Sequence, residues 1–354
     1  MFKTSDRAIG NPFQPAKSSP RPVSTSVGGG EHGTGRLSVS AETASLTGAG
    51  KKLPNPLGSD TKPEPKGGGE RVKNGVLKDG PGHWGKDLKE AMAAAKDRAL
   101  AKKELEGKFD VVADDFKGQK RPNQVTQAEY EKIVATYSDI RRGKTDLQLN
   151  TEGMTEEQKT KFVHDTMGDI GSIMQTSSGR NLIEQLAYQK DDHQTTINLA
   201  KDSLGNPNPL GASADAQDPL ERSKWSDGTG VNAKLNYVPG QDVTIPGYEK
   251  DTFNPIRSDV VLYHEMVHAL HIANGSMAKG TVTNGPQVDI DRGIQNFEHQ
   301  ATGLGDYAAD PMTENGYRRE RNAIGNHTGG IINATTAALD DRSMPQRTNY
   351  APTP

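Results

Sequence analysis

The chain contains no cysteine among its 354 residues. This absence excludes disulfides, thiol catalysis and cysteine-based zinc sites, so stability must come from packing or from an ion held by other side chains. Apolar residues are also scarce, at 32% of the chain, and aromatic residues make up only 5%. Because a chain that is packed throughout carries more of both, part of this one is predicted to lie outside a folded core.

Long apolar runs and a strong charge imbalance are missing as well. No stretch reaches the roughly 18 apolar residues that a membrane-spanning helix needs, and no apolar run follows a basic start as in an ordinary secretory signal. The net charge of -3 and the pI near 6.3 give no reason to expect an anionic partner. We therefore expect neither membrane insertion nor nucleic-acid binding.

Composition divides the chain into three parts. Residues 1–82 are rich in Ser, Thr, Gly and Pro, with no aromatic residue between Phe13 and Trp84, and are predicted to be disordered. Residues 83–122 are predicted to form a helical linker that contains one amphipathic helix at 84–106. Residues 123–354 are predicted to form the folded domain. The pattern leaves open whether the linker helix packs on that domain.

Within the folded domain, helix signals come first and strand signals follow. Apolar spacing of helical period predicts helices at 126–141, from 155 onward and at 177–189. Thr155 with Gln158 forms a capping box at the start of the second of these. Strands are predicted at 195–199 and 231–238, separated by a stretch rich in Pro, Asn, Asp and Gly that is predicted to be loop. Together with a later helix, this order predicts a mostly helical α+β fold with a small sheet.

The stretch from His264 to His268, with the sequence His-Glu-Met-Val-His, carries the clearest chemistry. On a helix, residues four apart lie within about 40° of one another, so His264 and His268 can hold one metal ion between them. Glu265 is rotated about 100° from His264. It can therefore act on water beside the metal ion without binding the ion itself, which is the arrangement of zinc hydrolases.

Signals at both ends support a helix around this motif. Ser258 or Asp259 is predicted to cap its start, and Asn274 with Gly275 is predicted to end it. Between these ends the residues are apolar on nearly every side, which is typical of a helix buried in the domain interior. Burying a carboxylate and several imidazoles without partners is costly, so a divalent cation is expected to compensate them.

A catalytic zinc ion normally takes three protein ligands and leaves a fourth position to water, so another ligand is required. Metzincin spacing would need histidine at position 274, where Asn274 stands, and a carboxylate on a later helix is expected instead. The candidates are Asp289, Asp291, Glu298, Glu314 and Glu320, with His271 and His299 as weaker contenders. His271 lies two helical turns from His264 and is predicted to pack in the core or to support the ligands.

Four short motifs, at 264–268, 296–303, 313–318 and 345–350, follow one another along the chain in the same order as in a known group of proteases. The chain thereby resembles the NleD-like type III secreted effector metalloproteases, peptidase family M91, over residues 126–350, and distantly resembles clostridial neurotoxin light chains. The resemblance implies a zincin-like domain in which Glu298, five residues before Gly303, is the third zinc ligand. It also implies that Glu314, otherwise the runner-up ligand, orients His264. Arg347 and Tyr350 are implied to face the substrate.

The function implied by the resemblance is that of a secreted bacterial effector, a zinc endopeptidase that cuts a host-cell protein. Glu265 would activate a zinc-bound water, and MAP kinases are one substrate class that the resemblance suggests. The polar N-terminal segment fits a type III export signal with a secretion chaperone as partner, and the host cytoplasm as the destination. The alternative is a secreted protein without catalysis, in which zinc is structural and the chain acts by binding a host partner.

Overall fold

The computed structural model describes residues 82–189, 193–248, 255–325 and 344–351. All but the last residue of the segment 1–82, for which disorder is predicted, lies outside the described residues. The α-helices are α1 Gly82–Glu104, α2 Gln127–Arg141, α3 Glu156–Ile173, α4 Ser177–Ala187, α5 Ser258–Ala273, α6 Gln287–Asp291, α7 Asn296–Thr302 and α8 Glu314–Gly325. The strands are β1 Asp110–Val112, β2 Gln124–Thr126, β3 Leu147–Leu149, β4 Thr195–Leu199, β5 Ser213–Ala216 and β6 Ala233–Tyr237.

The larger sheet is mixed and has the strand order β3-β4-β6-β5. Strands β3, β4 and β6 run parallel, with Thr195 of β4 aligned with Leu147 on one side and with Ala233 on the other. Strand β5 lies antiparallel to β6 at the edge. A separate parallel pair joins β1 to β2. Helices around a small mixed sheet agree with the predicted α+β class.

Local signals account for the helix starts before the sheet. The Thr126 side chain accepts a bond from the backbone N–H of Glu129, whose carboxylate bonds back to Thr126, and α2 therefore begins with a complete capping box. Thr155 and Gln158 form the same box before α3, as predicted. Thr176 caps α4, which ends at Ala187 and is two residues shorter than predicted.

The stretch between β4 and β6 is not all loop, and that part of the prediction is wrong. It contains the edge strand β5 together with short 3-10 helices at Pro209–Gly211 and Pro219–Ser226. The β5 sequence, Ser-Ala-Asp-Ala, has none of the β-branched or aromatic residues that favour strands. Its conformation comes from pairing with β6, which buries Ala214 and Ala216 while Asp215 turns outward to bond with Arg222.

The first helix, α1, occupies most of the predicted 84–106 segment, and apolar side chains in its first half are largely open to solvent. Leu88 and Met92 are 63% and 65% exposed. The end of the helix behaves differently, because Ala101 and the following Leu105 are buried in the main hydrophobic core. The last turn of α1 and the residue after it thus belong to the same core as the helices that follow. No helix among the described residues is long and apolar enough to cross a membrane.

Helix α5 lies at the centre of this part of the molecule. All of its residues except His271 are buried, and it packs on β5 and β6 on one side and on α3, α4, α7 and α8 elsewhere. The buried helix predicted around the His-Glu-x-x-His motif is therefore confirmed. Its apolar residues form the centre of the core, which forces the polar side chains of the same helix to find partners inside the protein.

The predicted start of α5 is wrong in one respect. Neither Ser258 nor Asp259 caps it, because the N-cap is Arg257 and no side chain accepts a capping bond there. The Ser258 hydroxyl donates instead to Asp169 of α3 at 2.9 Å, and Asp259 accepts a 2.6 Å bond from the Tyr317 hydroxyl. Both side chains therefore connect α5 to neighbouring helices, a use that local sequence does not reveal.

The end of α5 follows the prediction and depends on a close approach between two backbones. Asn274 is the C-cap, and Gly275 has a φ of 65° in the left-handed region. The carbonyl of Gly275 accepts a bond from Gly228 N–H at 2.9 Å. A Cβ atom on Gly275 would lie only 2.6 Å from the backbone nitrogens of Thr229 and Gly230. Only glycine fits there, both for its φ and for its lack of a side chain.

We expect Gly275→Ala to lower the free energy of unfolding by about 3 kcal/mol or more, since it adds a backbone clash to the cost of a positive φ. Gly293→Ala is the matched control, because Gly293 has a φ of 64° and a Cβ atom added there would meet no other atom within 4 Å. The control should lose only about 1–2 kcal/mol. Urea unfolding of both variants measures the difference. Equal losses would contradict the proposed close packing.

Candidate metal centre

Two histidines of α5 and one glutamate of α7 meet inside the protein. The Nε2 atoms of His264 and His268 lie 3.1 Å apart, and Glu298 Oε2 lies 3.2 Å from His268 Nε2 and 3.4 Å from His264 Nε2. All three side chains are buried, and their ligand atoms lie within 4.8 Å of one another. The structure thus brings together the residues that the sequence predicts as metal ligands, and this cluster could hold a metal ion.

The position of Glu298 follows from how α7 is held against α5. This short helix ends at Gly303, whose φ of 82° closes the last turn in the left-handed conformation. The Gln300 side chain bonds to the backbone of Ser276 and Ala278, in the segment that follows α5. The Phe297 ring meets the His268 ring edge-on, at 5.6 Å between centroids. These contacts fix α7 with Glu298 facing the two histidines.

Glu314, at the start of α8, bonds to the ring nitrogen of His264 that faces away from His268. Its Oε2 atom lies 2.9 Å from His264 Nδ1, and its Oε1 atom accepts a 2.8 Å bond from Arg318 Nε. Arg347 Nη1 approaches the same carboxylate at 3.5 Å. With Nδ1 donating to Glu314, Nε2 is the ring nitrogen of His264 that faces His268 and Glu298 and the one that would bind a metal ion.

Comparison with known families supplies a second line of evidence. The model of the effector protein family peptidase M91 matches residues 150–328. The chain belongs to this family. The match includes the histidine pair, Glu298 and Glu314 but ends before Arg347 and Tyr350. Among curated proteins, the comparison finds no match to this chain.

In this M91 chain, the electrostatics of the cluster favour a cation. Burial alone would raise the pKa of Glu298, but hydrogen bonds from His264 and His268 lower that pKa to about 2. Burial alone would lower the pKa of His264, but its bonds to Glu298 and Glu314 raise that pKa to about 10. Positive charge is therefore stabilised at the point where the imidazoles and the carboxylate meet, where a metal ion could take the place of the proton.

The carboxyl group of Glu265 is the strongest sign of a missing partner. The side chain is fully buried, and neither of its oxygens has a hydrogen-bond partner among the residues that the structure describes. Burial raises the pKa of Glu265 to about 8, an effect opposed by His264 and reinforced by Glu298 and Glu314. A buried carboxyl group without partners is costly, so a group that binds beside it is expected.

The donor set fits zinc among the divalent metals. Zinc accepts imidazole nitrogen and carboxylate oxygen in tetrahedral sites, with metal–nitrogen bonds of about 2.0–2.1 Å. Two such bonds place their nitrogens about 3.3 Å apart, close to the 3.1 Å between His264 Nε2 and His268 Nε2. Together with the unpartnered Glu265 carboxyl group, this spacing indicates that the residues present suit a bound zinc ion.

The segment 344–351, here called the C-terminal strap, brings Arg347 and Tyr350 to the cluster. The Tyr350 ring lies 6.3 Å from the His264 ring, and its buried hydroxyl has no hydrogen-bond partner within the described ranges. Arg347 is also buried, with its guanidinium carbon 4.6 Å from the centre of the Tyr350 ring. Its Nη2 atom donates to the Tyr350 carbonyl at 3.1 Å. The Arg347 side chain thus bonds to the strap backbone and to Glu314. The Tyr350 hydroxyl can therefore donate a hydrogen bond to a bound group.

The other residues considered as ligands lie in different environments. Asp291 accepts a bond from Gln287 at 2.7 Å, and the Glu320 carboxylate accepts one from the backbone of α4 at 3.1 Å. His271 pairs with Ser276 at 2.8 Å, at a partly exposed position. Asp289 and His299 are buried and bond to each other at 2.8 Å. None of these side chains belongs to the cluster that the described residues form.

Two residues that hold the strap have roles that sequence reasoning missed. Asn315 accepts a 2.7 Å bond from the Arg347 N–H and donates one of 2.9 Å to the Arg347 carbonyl. Asp289 accepts bonds from the backbone N–H groups of Tyr350 and Ala351. Asn315 stands next to Glu314, but its partner lies 32 residues away and no local pattern indicates it.

Glu298→Gln should reduce zinc affinity by more than about 100-fold, because even residues that only orient ligands cost about 10–100-fold when replaced. Glu314→Gln should reduce zinc affinity by about 10–100-fold, because Glu314 only orients a ligand. His271→Gln, which removes an imidazole of the same helix, should leave affinity unchanged. Competition against a chromophoric chelator measures all three. A larger loss for Glu314→Gln than for Glu298→Gln would instead make Glu314 the ligand.

Proposed function

We propose that this effector-family peptidase is a zinc endopeptidase that hydrolyses a peptide bond in a host-cell protein. The observation that carries the proposal is the buried convergence of His264, His268 and Glu298 beside the unpartnered carboxyl group of Glu265. Three ligands and a neighbouring base are the components of a hydrolytic zinc site. Membership of the peptidase M91 family supports the same interpretation.

In the proposed mechanism, His264, His268 and Glu298 hold the zinc ion. When bound, the ion supplies a Lewis acid that makes water acidic near neutral pH and polarises a carbonyl group. Glu265 accepts the proton of the attacking water on its carboxylate and delivers it to the leaving amine. Burial raises the pKa of Glu265 above the usual carboxyl range, and a cation bound beside it would act in the opposite direction and keep the carboxylate available to accept a proton.

The strap completes the proposed site. As the peptide carbonyl is attacked, negative charge develops on its oxygen, and the Tyr350 hydroxyl is the buried donor available to stabilise it. Arg347 acts on the same region through its contacts with Glu314 and with the Tyr350 carbonyl. Glu314 holds the His264 ring in place through Nδ1. In this scheme the Tyr350 hydroxyl contacts the substrate, while Glu314 and Arg347 hold His264 and the strap in position.

The competing function is a structural zinc site in a protein that acts only by binding. Structural zinc sites are normally closed by four protein ligands, whereas catalytic sites keep one position open. Within the described ranges, three ligand side chains converge, and the remaining histidines near them, His271 and His299, bond to Ser276 and Asp289. This difference favours catalysis over a purely structural role.

Delivery and substrate form the outer part of the proposal. Effector-family membership supports secretion towards a host cell, and we propose a type III route assisted by a secretion chaperone that binds within residues 1–82. A host MAP kinase is the substrate class suggested by the sequence resemblance. A zincin-like architecture is proposed for the catalytic region, with α5 as the helix that carries the metal ligands between the mixed sheet and α7.

Glu265→Gln should lower the rate of peptide-bond hydrolysis by about 10²–10⁴-fold, the contribution of a general acid–base group. Zinc content should stay at the wild-type level, because Glu265 is not a ligand. Turnover of a cleaved peptide and metal analysis of the same preparations provide the two measurements. Undiminished hydrolysis by this variant would remove Glu265 from the mechanism.

Incubation of the purified full chain with a host-cell lysate should create new peptide termini, identified by mass spectrometry. We expect these termini to be absent when a chelator is present and when Glu265→Gln replaces the wild type. The cut protein then names the substrate, and a MAP kinase among the products would support that class. If no termini depend on both zinc and Glu265, the binding-only alternative is favoured.

A further inference from the structure

Asp289 makes contacts that metal binding does not explain. Its carboxylate is fully buried on the short helix α6. It accepts the Tyr350 N–H at 2.8 and 3.0 Å on its two oxygens, and the Ala351 N–H at 2.6 Å. His299 Nε2 lies 2.8 Å from Oδ2. A buried carboxylate is costly unless several donors bond to it, and here the backbone of the strap supplies two of them.

His299 is itself held in a fixed orientation. A Cβ atom on Gly285 would lie 3.0 Å from the His299 ring, and one on Gly305 would lie 3.2 Å from it. The backbone of both glycines therefore packs closely on the imidazole, with no side chain between. This packing directs Nε2 towards Asp289 and restricts where the carboxylate can move.

Helix α7, which carries His299, also carries the candidate zinc ligand Glu298. Because successive helical residues are rotated by about 100°, Glu298 can face the histidines while His299 faces Asp289. The distance of the strap from the zinc site is therefore set through a short path: Glu298, its neighbour His299, Asp289, and the backbone of Tyr350. Each step of this path is either a chain neighbour or a single hydrogen bond.

We infer that Asp289, oriented by His299, is a positioning residue that sets the place of the Tyr350 hydroxyl over the zinc site. This inference rests on the proposed function, in which that hydroxyl stabilises developing charge. Other ties to the strap, such as the 2.7 Å bond from the Tyr248 hydroxyl to the Tyr350 carbonyl, hold it from a different side. Asp289 bonds to the two consecutive N–H groups at Tyr350 and Ala351. It therefore fixes the backbone on which the tyrosine side chain stands, and with it the direction in which that side chain leaves the strap.

The test is a double-mutant cycle on full-length, zinc-loaded protein. Tyr350→Phe should lower kcat by about 10²-fold, the usual cost of losing one such donor. Asp289→Asn should lower kcat by about 10-fold or more, with KM and zinc affinity little changed, because small misplacements of reacting groups are costly. The combined variant should be no slower than Tyr350→Phe alone, since Asp289 acts through that hydroxyl. Asp291→Asn, on the same helix and exposed, is the matched control and should behave as wild type.

A second measurement does not depend on activity. Hydrogen exchange of the peptide that covers the strap should lose protection at Tyr350 and Ala351 in Asp289→Asn, and keep it in Asp291→Asn. A wild type that binds zinc but cuts no protein would defeat the proposed function, while exchange would still test the anchoring. Should Asp289→Asn not fold, His299→Gln takes its place in both measurements, with a smaller loss of kcat expected.

Two outcomes would overturn the inference. One is a combined variant whose loss equals the product of the two single losses, because independent effects multiply. The other is unchanged protection of the strap amides in Asp289→Asn. Non-additive kinetics together with lost protection would support a positioning role, which a merely stabilising residue would not produce.

Discussion

The hydrogen bond between His264 Nδ1 and Glu314 Oε2, 2.9 Å long, is the contact on which the rest of the site depends. It joins the central helix α5 to α8, and through Arg318 and Arg347 it joins both to the C-terminal strap. Burial alone would raise the pKa of Glu314, but the two guanidinium groups hold that pKa well below its usual range. The carboxylate therefore stays charged, and a charged acceptor fixes the imidazole more firmly than a neutral one.

This arrangement explains how a helix as apolar as α5 can carry the proposed zinc site. Inside the protein, charges interact much more strongly than in water, so an unmatched carboxylate would destabilise the fold. Glu314 is matched by arginines and Asp259 by Arg257 and the Tyr317 hydroxyl. Of the two carboxyl groups on α5, a helix that the structure describes in full, Glu265 is the one left without a hydrogen-bond partner. In the proposed mechanism, this unpaired carboxyl group is the one that would accept a proton from water.

How far the sequence predicts this structure depends on how local each signal is. The capping box of Thr155 and Gln158, strand β4 and the end of α5 at Gly275 depend on neighbouring residues, and each is found where expected. Strand β5 and the side-chain contacts of Ser258 depend on partners elsewhere in the chain, and the predictions for both are wrong. The convergence of Glu298 with the histidines is implied by family resemblance, since no spacing rule connects His268 to a residue 30 positions further on.

The strap shows why that limit falls where it does. Residues 344–351 form no helix or strand, so their backbone groups cannot satisfy one another and need partners from side chains. Asn322 bonds to Met344, Asn315 to Arg347, and Asp289 to Tyr350 and Ala351. The proposed metal ligands, by contrast, lie on helices, in which most backbone groups bond to one another. The spacing of the two histidines therefore comes from one helix, whereas the positions of Glu298 and of the Tyr350 hydroxyl depend on individual side chains such as Gln300 and Asp289. In the proposed mechanism, substitution of Asp289 in α6, or of Asn315 or Asn322 in α8, would thus change the rate of the reaction while every proposed zinc ligand stays in place.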